Sequence, residues 1–239
     1  MHLSVIIPVH NEEKRLPKTL ASIDAYLSKQ NYDYEILVVD NGSTDRTPEI
    51  VRDLAGRMKG FKLVAGSSSQ GKGFAVKKGM LEAKGDYRVF TDADNSTSID
   101  QIEKMWPEFE KGFDIIIGSR DVKGAVLEPP QPFLRKMILG NGFKLLRKLI
   151  IGFWNIADTQ CGFKGFKAKA AQDIFSQLTV LGFAFDVEVL VIAKAMGYKF
   201  KEIPVRWVND LESKVSPGQI IKMLLEIIKI RFKWLKKIK

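Results

Sequence analysis

The sequence predicts an α/β fold with a mostly parallel central sheet and helices on both of its faces. Three observations predict it. Apolar runs alternate with helical stretches through the first half of the chain. The first of these runs is continuous and β-branched rather than alternating, the pattern of a parallel strand buried on both faces. Polar, glycine-bearing or charged residues recur where the runs stop, and ligands bind at such strand ends in parallel sheets.

"LSVIIPV" (3–9) reads as the first strand, and a helix follows from about Lys14 to Ser28. "EILVVD" is the second strand, ending at Asp40. "NGSTD" is turn chemistry, with Ser43 or Thr44 placed to cap a helix running to about Met58. "FKLVAG" is the third strand, "GFAVKKGMLEA" a helix and "DYRVFTD" the fourth strand. A helix near Ile99 to Lys111 leads into "FDIIIGSR". The carboxyl ends of these strands carry Pro8 to Glu12, Asp40, Gly66 to Lys72, Asp92 to Asp94, and Gly118 to Arg120. A parallel sheet brings them to one edge.

The second half is less regular. "VLEPPQP" (126–132) is a proline-rich break, and "DTQCGFKGF" reads as a polar connector. "FAFDVEVLVIAKAMG" looks helical and "KFKEIPVRW" looks like a strand. The expected organisation is one domain, 1–216, followed by a basic amphipathic helix, 217–239.

Composition narrows the function. The chain has 239 residues, 45% hydrophobic, enough for a sizeable core. Cys161 is the sole cysteine, so no internal disulfide forms. The first residues do not read as a signal peptide. No apolar run approaches the roughly 18 residues of a spanning helix. The net charge of +10 suits an anionic partner. It concentrates in 134–154, with five basic residues and no acidic one, and in 217–239, with seven basic and one acidic. In the latter, Lys222, Glu226, Lys229, Lys233 and Lys236 form one helical stripe among aliphatic residues. That pattern suits either a membrane interface or a helix packed on the domain with solvated lysines. The second basic stretch favours the membrane. A nucleic-acid-binding protein would also be basic. Here, however, the charge is interleaved with aliphatics and no stacking-aromatic motif is present, so no nucleic-acid partner is expected.

Several motifs carry chemistry. Asp92 and Asp94, at i and i+2 after a strand, suit one hard divalent cation, Mg²⁺ or Mn²⁺. Alone the pair reads as a strand-ending turn; its place in the row of strand ends favours the metal. Asp40 suits a base or ribose edge, or a helix cap, or both. "GSSSQGKG" nearly matches a P-loop, but Gly73 stands where the magnesium-binding hydroxyl belongs. An ATPase is therefore discounted, and Lys72 is kept as a phosphate contact at a helix start. His2 and His10 are the only histidines, which excludes a multi-histidine metal site. Cys161 reads as a packed residue.

Taken in order, "SVIIPVHNEEKRLPKTLASI", "EILVVDNGSTDRT", "SSQGKGFAVKKGM", "FTDADNSTSIDQI" and "IIIGSR" resemble the inverting family 2 glycosyltransferases of GT-A fold. "DTQCGFKGF", "FAFDVEVL" and "IPVRWVNDLESKV" look like the polyprenyl-phosphate sugar synthases, nearest the dolichyl-phosphate β-glucosyltransferase branch. The resemblance implies a metal-dependent hexose transfer, with glucose favoured, from a UDP- or GDP-sugar to a polyprenyl or dolichyl phosphate. Pro8, His10, Glu12, Asp40, Ser43, Lys72, Asp92 and Lys214 fall on the donor side. Asp92 and Asp94 hold the metal. Arg120, Arg135 and Ser213 receive the acceptor phosphate. Asp158 and Gln160 line the site, and Asp158 is the candidate base if one is used. Relatives often carry a glutamine where Ser96 stands, so the third metal ligand is unassigned. Many also carry C-terminal spanning helices that this chain lacks. The expected location is therefore cytoplasmic and peripheral, on a membrane surface or a membrane-embedded partner. The alternative within the family is transfer to a soluble or polysaccharide hydroxyl.

Overall fold

The computed structural model describes residues 1–58, 60–66, 69–129, 142–209 and 217–234. Its centre is a seven-stranded sheet of order β3-β2-β1-β4-β7-β5-β8. The strands are β1 (Leu3–Val9), β2 (Tyr34–Asp40), β3 (Phe61–Ala65), β4 (Tyr87–Thr91), β5 (Ile115–Ser119), β7 (Phe163–Lys167) and β8 (Phe200–Pro204). All pair in parallel except β7, which is antiparallel to both β4 and β5. A second sheet pairs β6 (Val126–Glu128) with β9 (Arg206–Val208).

Helices cover both faces. On one lie α1 (Leu16–Leu27), α2 (Thr47–Ala55), a 3₁₀ turn (Ile99–Lys104) and α4 (Trp106–Glu110). Leu16, Leu20, Ile23, Val51, Ile102 and Phe109 join the core on that side. On the other lie α3 (Lys72–Glu82), α5 (Gly142–Ile151), α6 (Ala168–Gln177), α7 (Phe185–Ala195) and α8 (Pro217–Trp234). Val76, Met80, Ile174, Phe185 and Leu190 join the core there.

The structure corrects four local readings. "DTQCGFKGF" is not a connector throughout: from Phe163 onward it is β7, an interior strand of the sheet. Lys164 and two glycines disguised it, yet Lys164 is fully buried and Gly165 has Met105 and Phe109 where a side chain would go. Neither Ser43 nor Thr44 caps α2; Asp45 Oδ1 accepts from Thr47 N–H at 3.0 Å instead. The helix expected over 99–111 is a 3₁₀ turn and a short α-helix, with Pro107 in the first turn of the latter. The proline-rich break opens with β6.

The C-terminal helix belongs to the core. Met223, Ile227, Ile230 and Trp234 recur at i, i+4, i+7 and i+11 and are buried against α5 and α7. Each such side chain contributes about 1.5–3 kcal/mol. Glu188, fully buried on α7, accepts from Trp234 Nε1 at 3.2 Å. Among the described residues no helix is long and apolar enough to cross a membrane.

Candidate active site

Parallel strands deliver their carboxyl ends to one edge, and antiparallel β7 delivers its amino end there. Residues 158–162 therefore meet the loops that follow β4 and β5, at the edge where β1 and β2 also end.

The first loops are laced together. His10 Nδ1 donates to the Asn41 carbonyl at 3.1 Å, and Asn11 N–H donates to Ser43 Oγ at 2.9 Å. Ser43 N–H donates to Asp40 Oδ1 at 3.1 Å, and Gln70 N–H to Asn41 Oδ1 at 3.0 Å. Asn11 adopts φ 55°, a left-handed turn that asparagine tolerates. Glu12 binds Arg15 through both carboxylate oxygens, at 2.8 Å each. Pro8 sits inside β1, beyond the last β4 partner at Ile6, where its missing N–H costs no bond to β4.

Lys72 opens α3, and Gly71 before it has φ 110°. A Cβ on Gly71 would lie 2.3 Å from the Leu181 carbonyl, so glycine is required there. Lys72 Nζ lies 2.6 Å from Asp92 Oδ1. Burial alone would lower its pKa, but Asp92 and then Asp186 outweigh that and raise it. Asp94 Oδ1 accepts from Ser96 N–H at 2.9 Å. Burial, and then the like charge of Asp92, push the Asp94 carboxyl above its ordinary value. Thr19 Oγ1 pins the Ala93 carbonyl between them at 2.6 Å.

Further along the edge, Arg120 and Asp158 form a bidentate pair. Nε to Oδ2 is 2.7 Å and Nη2 to Oδ1 is 3.0 Å. The guanidinium stacks over Trp207, 4.8 Å from the ring centroid. Burial would raise the pKa of Asp158, but Arg120 outweighs it and holds the carboxyl far below the usual range. Glu202 accepts from Ala157 and Asp158 N–H, each at 2.9 Å, and so fixes this loop. A carboxylate clamped in this way is a poor general base and a good orienter of arginine. Cys161 is buried, and burial pushes its thiol up to about 12, which fits a packed residue.

The oxygen donors of Asp92 and Asp94 fit a hard divalent cation. Gly162 makes a cradle for the first: a Cβ there would fall 1.9 Å from Asp92 Oδ2. Among the described residues no third His, Cys, Asp or Glu joins them. A diphosphate and waters would complete such a shell. Ser96 is buried beside Asp94. Arg135, Ser213 and Lys214 lie outside the described residues.

Sequence reasoning missed Lys164, Asp186, Glu202 and Trp207. Only "FDVE" hinted at one of them, as a polar pair inside an apolar helix.

The family model for glycosyl transferase family 2 matches residues 4–175. The chain belongs to glycosyl transferase family 2. A dolichyl-phosphate beta-glucosyltransferase of Trichomonas vaginalis is 37% identical over 241 residues, covering 96% of this chain and 73% of that one. The human dolichyl-phosphate beta-glucosyltransferase is 32% identical, covering 98% of this chain and 76% of its own. A solved glucosyl-3-phosphoglycerate synthase of Mycobacterium tuberculosis, in complex with Mn²⁺, UDP and glucosyl-3-phosphoglycerate, superposes with TM-score 0.67. That likeness covers 97% of this chain and 79% of the other at 18% identity, so it speaks to fold. The fold of this glycosyltransferase is GT-A, as the sequence predicted.

Proposed function

We propose that this glycosyltransferase moves glucose from UDP-glucose to the phosphate of a dolichyl or polyprenyl lipid, inverting the anomeric carbon. The observation that carries this reading is the strand-end row itself. Asp40, the Lys72–Asp92–Asp94 cluster and the Arg120 fork share one edge of one sheet. Glucose and the lipid phosphate come from what the relatives are named for. UDP and Mn²⁺ come from the tuberculosis complex.

Asp40 and the loops around Pro8, His10, Glu12 and Ser43 seat the nucleotide. Asp92 and Asp94 would hold Mg²⁺ or Mn²⁺, which as a Lewis acid takes up charge on the leaving diphosphate. Lys72 adds electrostatic stabilisation there. The resemblance assigns Lys214 to the donor phosphates and Ser213 and Arg135 to the acceptor phosphate. Asp158 engages Nε and Nη2 of Arg120, and Nη1 takes no part in that pair. Gln160 lines the same loop. A phosphate monoester, with a second pKa of about 6, is already anionic near neutral pH. The attack therefore needs no strong base, and Asp158 serves as a positioning residue.

A panel of UDP- and GDP-sugars, each offered polyprenyl phosphate or a soluble oligosaccharide, tests this reading. Turnover is expected for UDP-glucose with the lipid phosphate. Turnover with oligosaccharide hydroxyls alone would replace it with the other family chemistry.

The acceptor's chain calls for a membrane surface. Of the eleven exposed large hydrophobics among the described residues, seven lie on α5, just beyond it, or on α8. They are Leu145, Leu149, Trp154, Ile221, Leu225, Ile228 and Phe232. The four on α8 form a stripe opposite its buried one, with Lys222, Lys229 and Lys233 along one flank. An apolar stripe with a cationic flank suits an anionic bilayer, consistent with a peripheral protein at a cytoplasmic membrane face. The double variant L225E/F232E is expected to keep its fold, because both side chains are exposed. It should float with acidic liposomes at least tenfold less; unchanged flotation would move the contact elsewhere.

A further inference from the structure

A buried ion pair lies directly behind the candidate site. Lys164 on β7 is 0% exposed and Asp186 at the start of α7 is 3% exposed. Lys164 Nζ donates to Asp186 Oδ1 and, at 2.6 Å, to the Cys161 carbonyl. It sits 5.2 Å from the ring centroid of Phe90, its partner across the β4–β7 ladder. Desolvation offsets most of the attraction in such a pair, so packing alone gives little reason for a lysine inside the sheet.

The pair touches the site by two routes. The Cys161 carbonyl that Lys164 holds leads straight into Gly162. The Gly162 backbone lies against both oxygens of Asp92: a Cβ there would be 1.9 Å from Oδ2 and 2.7 Å from Oδ1. It is the floor on which that carboxylate rests. The second route runs through Asp186, whose charge acts on both Lys72 and Asp92. Burial already pushes the Asp186 carboxyl up and Lys164 is the largest influence against it, so without Lys164 the carboxyl would be driven further from its charged form.

We propose that Lys164 is a positioning residue that holds the Cys161–Gly162 backbone beneath Asp92 and engages Asp186, so that Asp92 and Lys72 face the donor diphosphate and its metal. This rests on the metal-dependent reading of the site above. Outer-shell partners of this kind typically change metal affinity by 10–100-fold.

Mn²⁺ binding, followed by electron paramagnetic resonance without any turnover, tests it. K164M/D186N removes both charges together and leaves none unpaired, so it is the variant expected to fold. Its near-UV circular dichroism should match wild type while its Kd for Mn²⁺ rises about 10–100-fold. A Kd within about threefold of wild type, in folded protein, would overturn the proposal; a purely structural pair would behave that way. If the double variant does not fold, K164L/D186N, which likewise leaves no buried charge unpaired, is held to the same threshold. Wild-type protein that binds no Mn²⁺ would instead overturn the metal-dependent reading, and this inference with it.

Discussion

Asp94→Ala is expected to abolish transfer without unfolding the protein. The loss should exceed about 10³-fold in kcat, beyond the 10–100-fold of an outer-shell change, because a direct metal ligand is removed. Stability should move the other way. Asp94 is half-buried, and burial with the like charge of Asp92 already disfavours its ionised form. Among the described residues its hydrogen-bond donor is the Ser96 N–H. Removing it relieves repulsion, so Tm without metal should stay level or rise slightly. Transfer that survives in Asp94→Ala and in excess chelator would remove the metal from the account.

Arg120→Lys is expected to raise KM for the lipid phosphate about 10–100-fold while changing KM for the nucleotide sugar far less. Lysine keeps the charge. It loses the planar fork that meets Asp158 through Nε and Nη2 and stacks on Trp207. One charge-assisted hydrogen bond is worth about 1.5–3 kcal/mol, and 1.4 kcal/mol is a factor of ten. Arg120→Ala is a poorer probe. It leaves Asp158, 2% exposed, without its counter-ion, and breaking a buried pair costs about 3–5 kcal/mol. Steady-state kinetics with each substrate varied in turn separates the two sides. A larger rise for the nucleotide sugar would move Arg120 to the donor.

Much of the sheet was legible because buried parallel strands are written as continuous apolar runs. β1 and β2 fall within a residue of where "LSVIIPV" and "EILVVD" place them. Asp40, Lys72, Asp92, Asp94 and Arg120 were legible for a related reason: each ends a strand or the loop after one, and parallel strands end together. What was hidden depends on contacts between distant segments. β7 did not read as a strand, because Lys164 is paired with Asp186, 22 residues on, and Gly165 makes room for neighbouring side chains. Trp207 and Glu202 touch the site only because β8 and β9 fold back beside β5 and β6. The C-terminal helix was read as either packed or interfacial. It carries two apolar stripes on opposite sides, one buried in the core and one exposed, which a single amphipathic pattern could not separate.

The most direct test of the central claim is the structure of the product made from UDP-glucose, polyprenyl phosphate and Mn²⁺. Phosphorus and proton NMR should give one glucosyl phosphodiester with a β anomeric linkage, absent when chelator replaces Mn²⁺. An α-linked product, glucose on a hydroxyl rather than a phosphate, or full yield in chelator would contradict it.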